Sequence, residues 1–127
     1  MKDKRPKNIN PLTIRLPLTA LVSIGHRISG IVVFLFIPLL LCGLGESLKS
    51  EAAFLDMRLW FQAVWVKVIL WSFIAAFAFH LIAGLRHMLM DCHIGDSLKS
   101  GRLGAVMVLI TTFVIAGLAA WCIGSVS

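Results

Sequence analysis

Three long stretches of this chain carry no Asp, Glu, Lys or Arg, and they leave it few ways to fold. Ile28 to Gly45 is 18 residues, Val68 to Leu85 another 18, and Leu103 to Ser127 is 25. A bilayer-spanning helix needs roughly 20 mostly apolar residues, a length the first two runs reach with their flanks. None alternates as a half-buried strand would. In lipid every backbone N–H and C=O must pair within its own segment, which selects helices. Composition agrees: 59% of residues are hydrophobic, the mean hydropathy is +0.94, and 14% are charged, where a soluble domain carries about 25%. A chain of 127 residues has no core large enough to hide that much apolar surface. The expectation is an all-α integral membrane protein with three transmembrane helices. It is one domain over residues 1–127: an N-terminal segment at 1–20, helix I over about 21–46, helix II over about 58–90 and helix III over about 103–125.

A cleaved signal peptide is not expected. The first run begins some 28 residues in and no small-x-small site follows it. Leu41, just before Cys42, is too bulky for a lipoprotein site. Orientation follows from the basic residues, which favour the cytoplasmic side. Lys2, Lys4, Arg5, Lys7, Arg15 and Arg27 precede or open the first span, Arg86, Lys99 and Arg102 flank the second loop, and nothing basic follows the third span. Only Lys49 and Arg58 fall in the first loop. The N-terminus is expected in the cytoplasm and the C-terminus on the outer side. Trp60, Trp65, Trp71 and Trp121 then sit towards the outer interface, which indole favours, and Lys67 snorkels outward among them. Residues 1–19 hold Pro6, Pro11 and Pro17 and read as a surface segment with a short interfacial helix around Leu12 to Leu16. Pro38 is a candidate kink in helix I. Ser47 to Asp56 reads as the outer loop and Cys92 to Gly101 as the inner one.

The net charge of +6 does not call for a nucleic acid. Half of the basic residues form the N-terminal cluster, which sets topology and touches anionic headgroups. Cys42, Cys92 and Cys122 lack the spacing of a metal or disulfide motif.

Polar residues inside or at the edge of a span are costly and are functional candidates by default. Ser23 and Arg27, four apart, share one helix face. A hydroxyl and a guanidinium together suit the carbonyl or carboxylate of an amphiphilic ligand. Equally, Arg27 serves as a topology anchor and Ser23 as a helix cap. In helix II, His80, Gly84, His87 and Asp91 are separated by four, three and four and form one stripe. His80 lies about 10 Å along the axis from His87, well inside the apolar run. Gly84 between them leaves room for something flat against the backbone. Neutral imidazole suits iron, and haem is flat with an apolar body; a hydrogen bond from His80 to a neighbouring helix is the other reading. His80 and His87 face the same way, whereas trans axial ligands approach iron from opposite sides, about 4 Å apart in total. They cannot both ligate one haem. His26 and His93 are expected at the cytoplasmic edge, too shallow to help, which makes a partner chain the simpler source of a second ligand.

Arg5-Pro6-Lys7-Asn8-Ile9, Thr13-Ile14-Arg15, Ser23-Ile24-Gly25-His26-Arg27-Ile28-Ser29-Gly30 and His80-Leu81-Ile82-Ala83-Gly84-Leu85-Arg86-His87-Met88-Leu89-Met90-Asp91 resemble the cytochrome b membrane-anchor subunits of succinate:quinone oxidoreductase. The likeness runs through nearly the whole chain, although the third helix matches only as an apolar span. The resemblance implies half of a heterodimeric haem-binding helix bundle. This chain and a second anchor subunit hold a flavoprotein and an iron–sulfur subunit on a bacterial inner membrane, as part of the respiratory chain and the tricarboxylic acid cycle. A haem b is shared between the two anchors, and ubiquinone is reduced at the cytoplasmic boundary. By position, His80 is this chain's axial ligand. Ser23, Arg27, Ile24 and Asp91 belong to the quinone region, and His26, Arg27 and His87 to the haem propionates. Gly25 stands where the family commonly has a bulkier residue, which touches only local packing. No flavin motif, cysteine cluster or dicarboxylate site is present, so the chain alone is expected to catalyse nothing. Two alternatives stand: the anchor of a related fumarate reductase, and a cofactor-free transporter subunit or scaffold.

Overall fold

The computed structural model describes residues 16–95 and 97–125. These form four helices: α1 (Leu18–Ser47), α2 (Glu51–Trp60), α3 (Val64–Asp91) and α4 (Leu98–Ser125). No strand occurs among the described residues, and α1, α3 and α4 are each long and apolar enough to cross a membrane. The interfacial helix expected around Leu12 to Leu16 lies outside the described residues, apart from Leu16, which is exposed and not helical.

α1 starts at Pro17, whose carbonyl accepts from the N–H groups of Ala20 and Leu21 at 2.9 and 3.2 Å. Proline has no N–H of its own to leave unpaired at a helix start. The helix continues unbroken through Pro38. Helix II departs from its expected start near residue 58. The segment read as the outer loop is mostly the helix α2, and the transmembrane helix begins separately at Val64. Local chemistry accounts for α2: the Ser50 hydroxyl accepts from the Ala53 N–H at 3.1 Å, Glu51 lies in the first turn and Arg58 in the last. Both charges complement the helix dipole, and the hydroxyl caps its first turn. Trp60 meets Trp65 edge-on, with ring centroids 5.1 Å apart, across the break.

The inner loop is shorter than expected. Met88 O accepts from Cys92 N–H and Met90 O from His93 N–H, closing α3. His93 (φ 60) and Gly95 (φ 76) then turn the chain through left-handed backbone, which costs glycine nothing and histidine something. Ser97 caps α4, its hydroxyl accepting from the Ser100 N–H at 3.2 Å. The polar stretch Leu98 to Arg102 is therefore helical, where hydrophobicity alone placed it in the loop.

α3 lies between α1 and α4 and touches each far more extensively than those two touch one another. The shared core is thin: Val22, Ala83, Ala105 and Val108, with Leu18, Phe79 and Ile82 against it. Small residues let helix backbones approach, the usual basis of packing in lipid. Gly25 does this for α1: a Cβ there would lie 2.9 Å from the Phe79 ring. Higher up, Phe36 stacks on Phe73 at 4.9 Å, and Trp71 Nε1 donates to the Ala116 carbonyl at 2.8 Å. Most other large apolar side chains point outward, Phe34 at 71% and Phe113 at 78% exposure among them.

Candidate functional site

The contact between α1 and α3 gathers the histidines. His26 on α1 lies flat on His80 of α3, with ring centroids 4.2 Å apart and planes 11° from parallel. The same ring meets His87 edge-on at 5.2 Å. His80 and His87 thus do share a face, and His26 sits across both. His26, expected at the shallow cytoplasmic edge, thus reaches His80, but stacked on it and not opposed to it across a common ion. The gap at Gly84 is explained as well. A Cβ on Gly84 would stand 3.1 Å from His26 Nε2, so the flat group lying there is this chain's own imidazole.

The hydrogen-bond partners of His80 point to the nitrogen that carries its proton. Nδ1 lies 3.0 Å from the His26 carbonyl oxygen and 3.3 Å from Ser29 Oγ. Ser29 Oγ in turn donates to the same carbonyl at 2.9 Å. A carbonyl oxygen only accepts, so Nδ1 bears the hydrogen, and in the neutral ring Nε2 is left as a bare lone pair. That is the state a metal-ligating histidine needs, with its other nitrogen held by a carbonyl. The three histidines do not by themselves make a metal site. Lone pairs lie in the ring plane, so two stacked imidazoles direct theirs side by side, not at a common ion. Accordingly, no group of three or more His, Cys, Asp or Glu suited to a metal occurs among the described residues.

The other expected residues fall at the end of the bundle that holds the α3–α4 turn. Ser23 is half-buried on α1, and Ile24 and Arg27 are exposed beside it. His87 is half-buried, and Asp91, the last residue of α3, is exposed. Among the described residues no ion pair or hydrogen bond joins Asp91 to Ser23 or Arg27. The structure therefore collects His26, His80 and His87 into one cluster, sets Ser23 and Arg27 one turn apart, and leaves Asp91 separate.

A sequence profile of the family described as "Succinate dehydrogenase/Fumarate reductase transmembrane subunit" matches residues 1–119. The chain belongs to this family. Relatives in it agree over most of their length. The "Succinate dehydrogenase cytochrome b556 subunit" of Coxiella burnetii is 38% identical over 125 residues, 95% of this chain and 100% of the relative. Proteins of the same description from Paracoccus denitrificans and Rickettsia typhi are 30% and 27% identical. They cover 91% and 89% of this chain and 88% of their own lengths. The resemblance thus holds at the level of the family over nearly the whole chain, as does the all-α membrane fold.

Three features escaped the sequence. Helical spacing assigns Ser29 and Gly30 no role, yet Ser29 is buried at 7% exposure. A Cβ on Gly30 would meet His80 Cε1 at 2.9 Å. Arg86 was counted as a loop-flanking charge, but it is buried at 9% exposure between α3 and α4. Its Nη2 donates to the Gly101 carbonyl at 3.0 Å, and Nε has no partner. Gly101 and Gly104, three apart on α4, clear its path. That pair of glycines was the available signal, since small residues at such spacing mark a close neighbour.

Proposed function

We propose that this chain is the haem b-binding membrane anchor of a bacterial succinate dehydrogenase. Together with a second anchor it holds the flavoprotein and iron–sulfur subunits at the inner membrane and helps to form the site where ubiquinone is reduced. The observation that carries the reading is the fixed tautomer of His80, half-buried in a span, with Nδ1 spoken for by the His26 carbonyl. His80 Nε2 would hold the haem iron from this chain, and the second anchor would supply another ligand. When bound, the haem supplies a one-electron store beside the quinone.

The chain's own residues bind and polarise. The Ser23 hydroxyl and the Arg27 guanidinium grip a quinone carbonyl at the cytoplasmic boundary and favour the negative charge that develops there on reduction. Ile24 gives an apolar wall, and Asp91 closes the inner end. Arg27, His26 and His87 offset the haem propionates. Dicarboxylate chemistry belongs to the partner subunits; this chain adds binding and electron transfer, not a reaction of its own. The relatives' printed names favour succinate oxidation over the fumarate reductase anchor that the family description also admits.

The test is the low-spin haem signal of the purified complex in two variants. His80→Leu should lose or shift the six-coordinate spectrum, and leucine leaves no unpaired polar group in lipid, so the helix still inserts. His87→Leu should keep it. An unchanged signal with full haem content in His80→Leu refutes the ligand assignment. Absence of any reduced b-type band in the wild-type complex would return the chain to the class of cofactor-free scaffolds.

A further inference from the structure

His80 is held by more than a single hydrogen bond. The His26 carbonyl oxygen lies 3.0 Å from Nδ1, Ser29 Oγ lies 3.3 Å from the same nitrogen, and Ser29 Oγ donates to that carbonyl at 2.9 Å. The three atoms close a triangle in which one hydroxyl bridges the imidazole and the backbone group that fixes its tautomer. Ser29 is 7% exposed, so water does not readily replace it. Next to it, Gly30 leaves space that the imidazole uses: a Cβ there would stand 2.9 Å from Cε1 and 3.3 Å from Nδ1. Real Cβ atoms essentially never come as close as the first of these distances. The ring would have to move, and moving it stretches both contacts of Nδ1.

We infer that Ser29 and Gly30 are positioning residues for His80: Ser29 fixes the rotation of the ring and the strength of the Nδ1–H bond, and Gly30 admits the ring to that seat. Neither touches the iron. Both act through the imidazole, since a bond to the outer nitrogen of a ligating histidine sets its orientation and basicity. The inference rests on His80 being the axial ligand.

The experiment uses the purified detergent-solubilised complex and reads haem content, the highest-g feature of the low-spin ferric spectrum, and the haem midpoint potential. Ser29→Ala should keep the haem-to-protein ratio of the wild type while that feature moves or broadens and the potential shifts. Ser29→Thr, which restores the hydroxyl, should bring both back. Gly30→Ala should perturb the spectrum further or lose low-spin haem. If Ser29→Ala proves too poorly assembled to purify, Gly30→Ala carries the test, and a wild-type spectrum and potential there overturn the inference. So does a Ser29→Ala complex that superimposes on wild type in both. His80→Leu separates the two levels. If it keeps the wild-type signal, the ligand assignment has failed and the seat with it. If it loses the signal while Ser29→Ala and Gly30→Ala are unchanged, only the seat has failed.

Discussion

Ser23 and Arg27 lie one turn apart on α1, Arg27 exposed and Ser23 half-buried. Their proposed work is separable from that of the soluble subunits, because an artificial dye takes electrons before the membrane site. Ser23→Ala and Arg27→Leu should therefore slow ubiquinone reduction while leaving succinate-to-dye activity largely intact. Each removes a polar contact worth about 1–3 kcal/mol, the charged one at the upper end, which is roughly a tenfold to hundredfold loss in kcat/KM for the quinone. Arg27→Lys should fall between, keeping the charge but not the planar fork. Normal quinone kinetics in all three variants would mean that these residues only set topology. Of the site, the stripe His80, Gly84, His87 was legible because helical periodicity puts those positions on one face. His26 was not, because depth was judged from sequence position along one helix. A long ring side chain crossing to a neighbouring helix has no signature in its own segment.

At the scale of elements, the α3–α4 contact turns on Arg86. It makes one hydrogen bond, to the Gly101 carbonyl, and leaves Nε unpaired. One charge-assisted bond of net value about 1.5–3 kcal/mol is set against the cost of burying a charged group. Arg86→Ala should lower the thermal midpoint of the complex, because it empties the space beside Gly104 as well as breaking the bond. Arg86→Met, which refills much of that space without a charge, should lie close to wild type. Gly104→Leu should be worse than either, since even its Cβ would fall 3.1 Å from Arg86 Nε and the helices would have to part; overpacking of this kind costs about 1–3 kcal/mol. A Met variant as unstable as the Ala one would show that the hydrogen bond outweighs the burial cost. The spans themselves could be read from the apolar runs. The ends of the elements were lost for a shared reason: hydropathy marks where lipid begins, not where helix stops. Ser50 with Glu51, and Ser97, are the capping signals that locate α2 and α4, and both lie in polar stretches.

For the whole molecule, the thin core and the outward-facing Phe34 and Phe113 fit a chain whose surface meets an apolar surrounding. The concentration of basic residues at Arg86, Lys99 and Arg102 around the turn between two of the three long helices predicts that this turn faces the cytoplasm. In a background where Cys42, Cys92 and Cys122 are replaced, Ser125→Cys should react with an impermeant thiol reagent from the outer side and His93→Cys only from the cytoplasmic side. Reaction of Ser125→Cys from the cytoplasmic side alone would invert the arrangement.

Arg86 donates to a carbonyl fifteen residues further along the chain, across a turn of only a few residues. During biosynthesis α3 emerges first, carrying a guanidinium and two imidazoles that lipid does not solvate. His80 and His87 can already turn to His26 on α1; Arg86 has to wait for Gly101. Its place in the last turns of α3, beside the α3–α4 connection, lets the guanidinium reach towards water until Gly101 has been made. The α3–α4 contact is thus sealed by a group whose partner the chain supplies last.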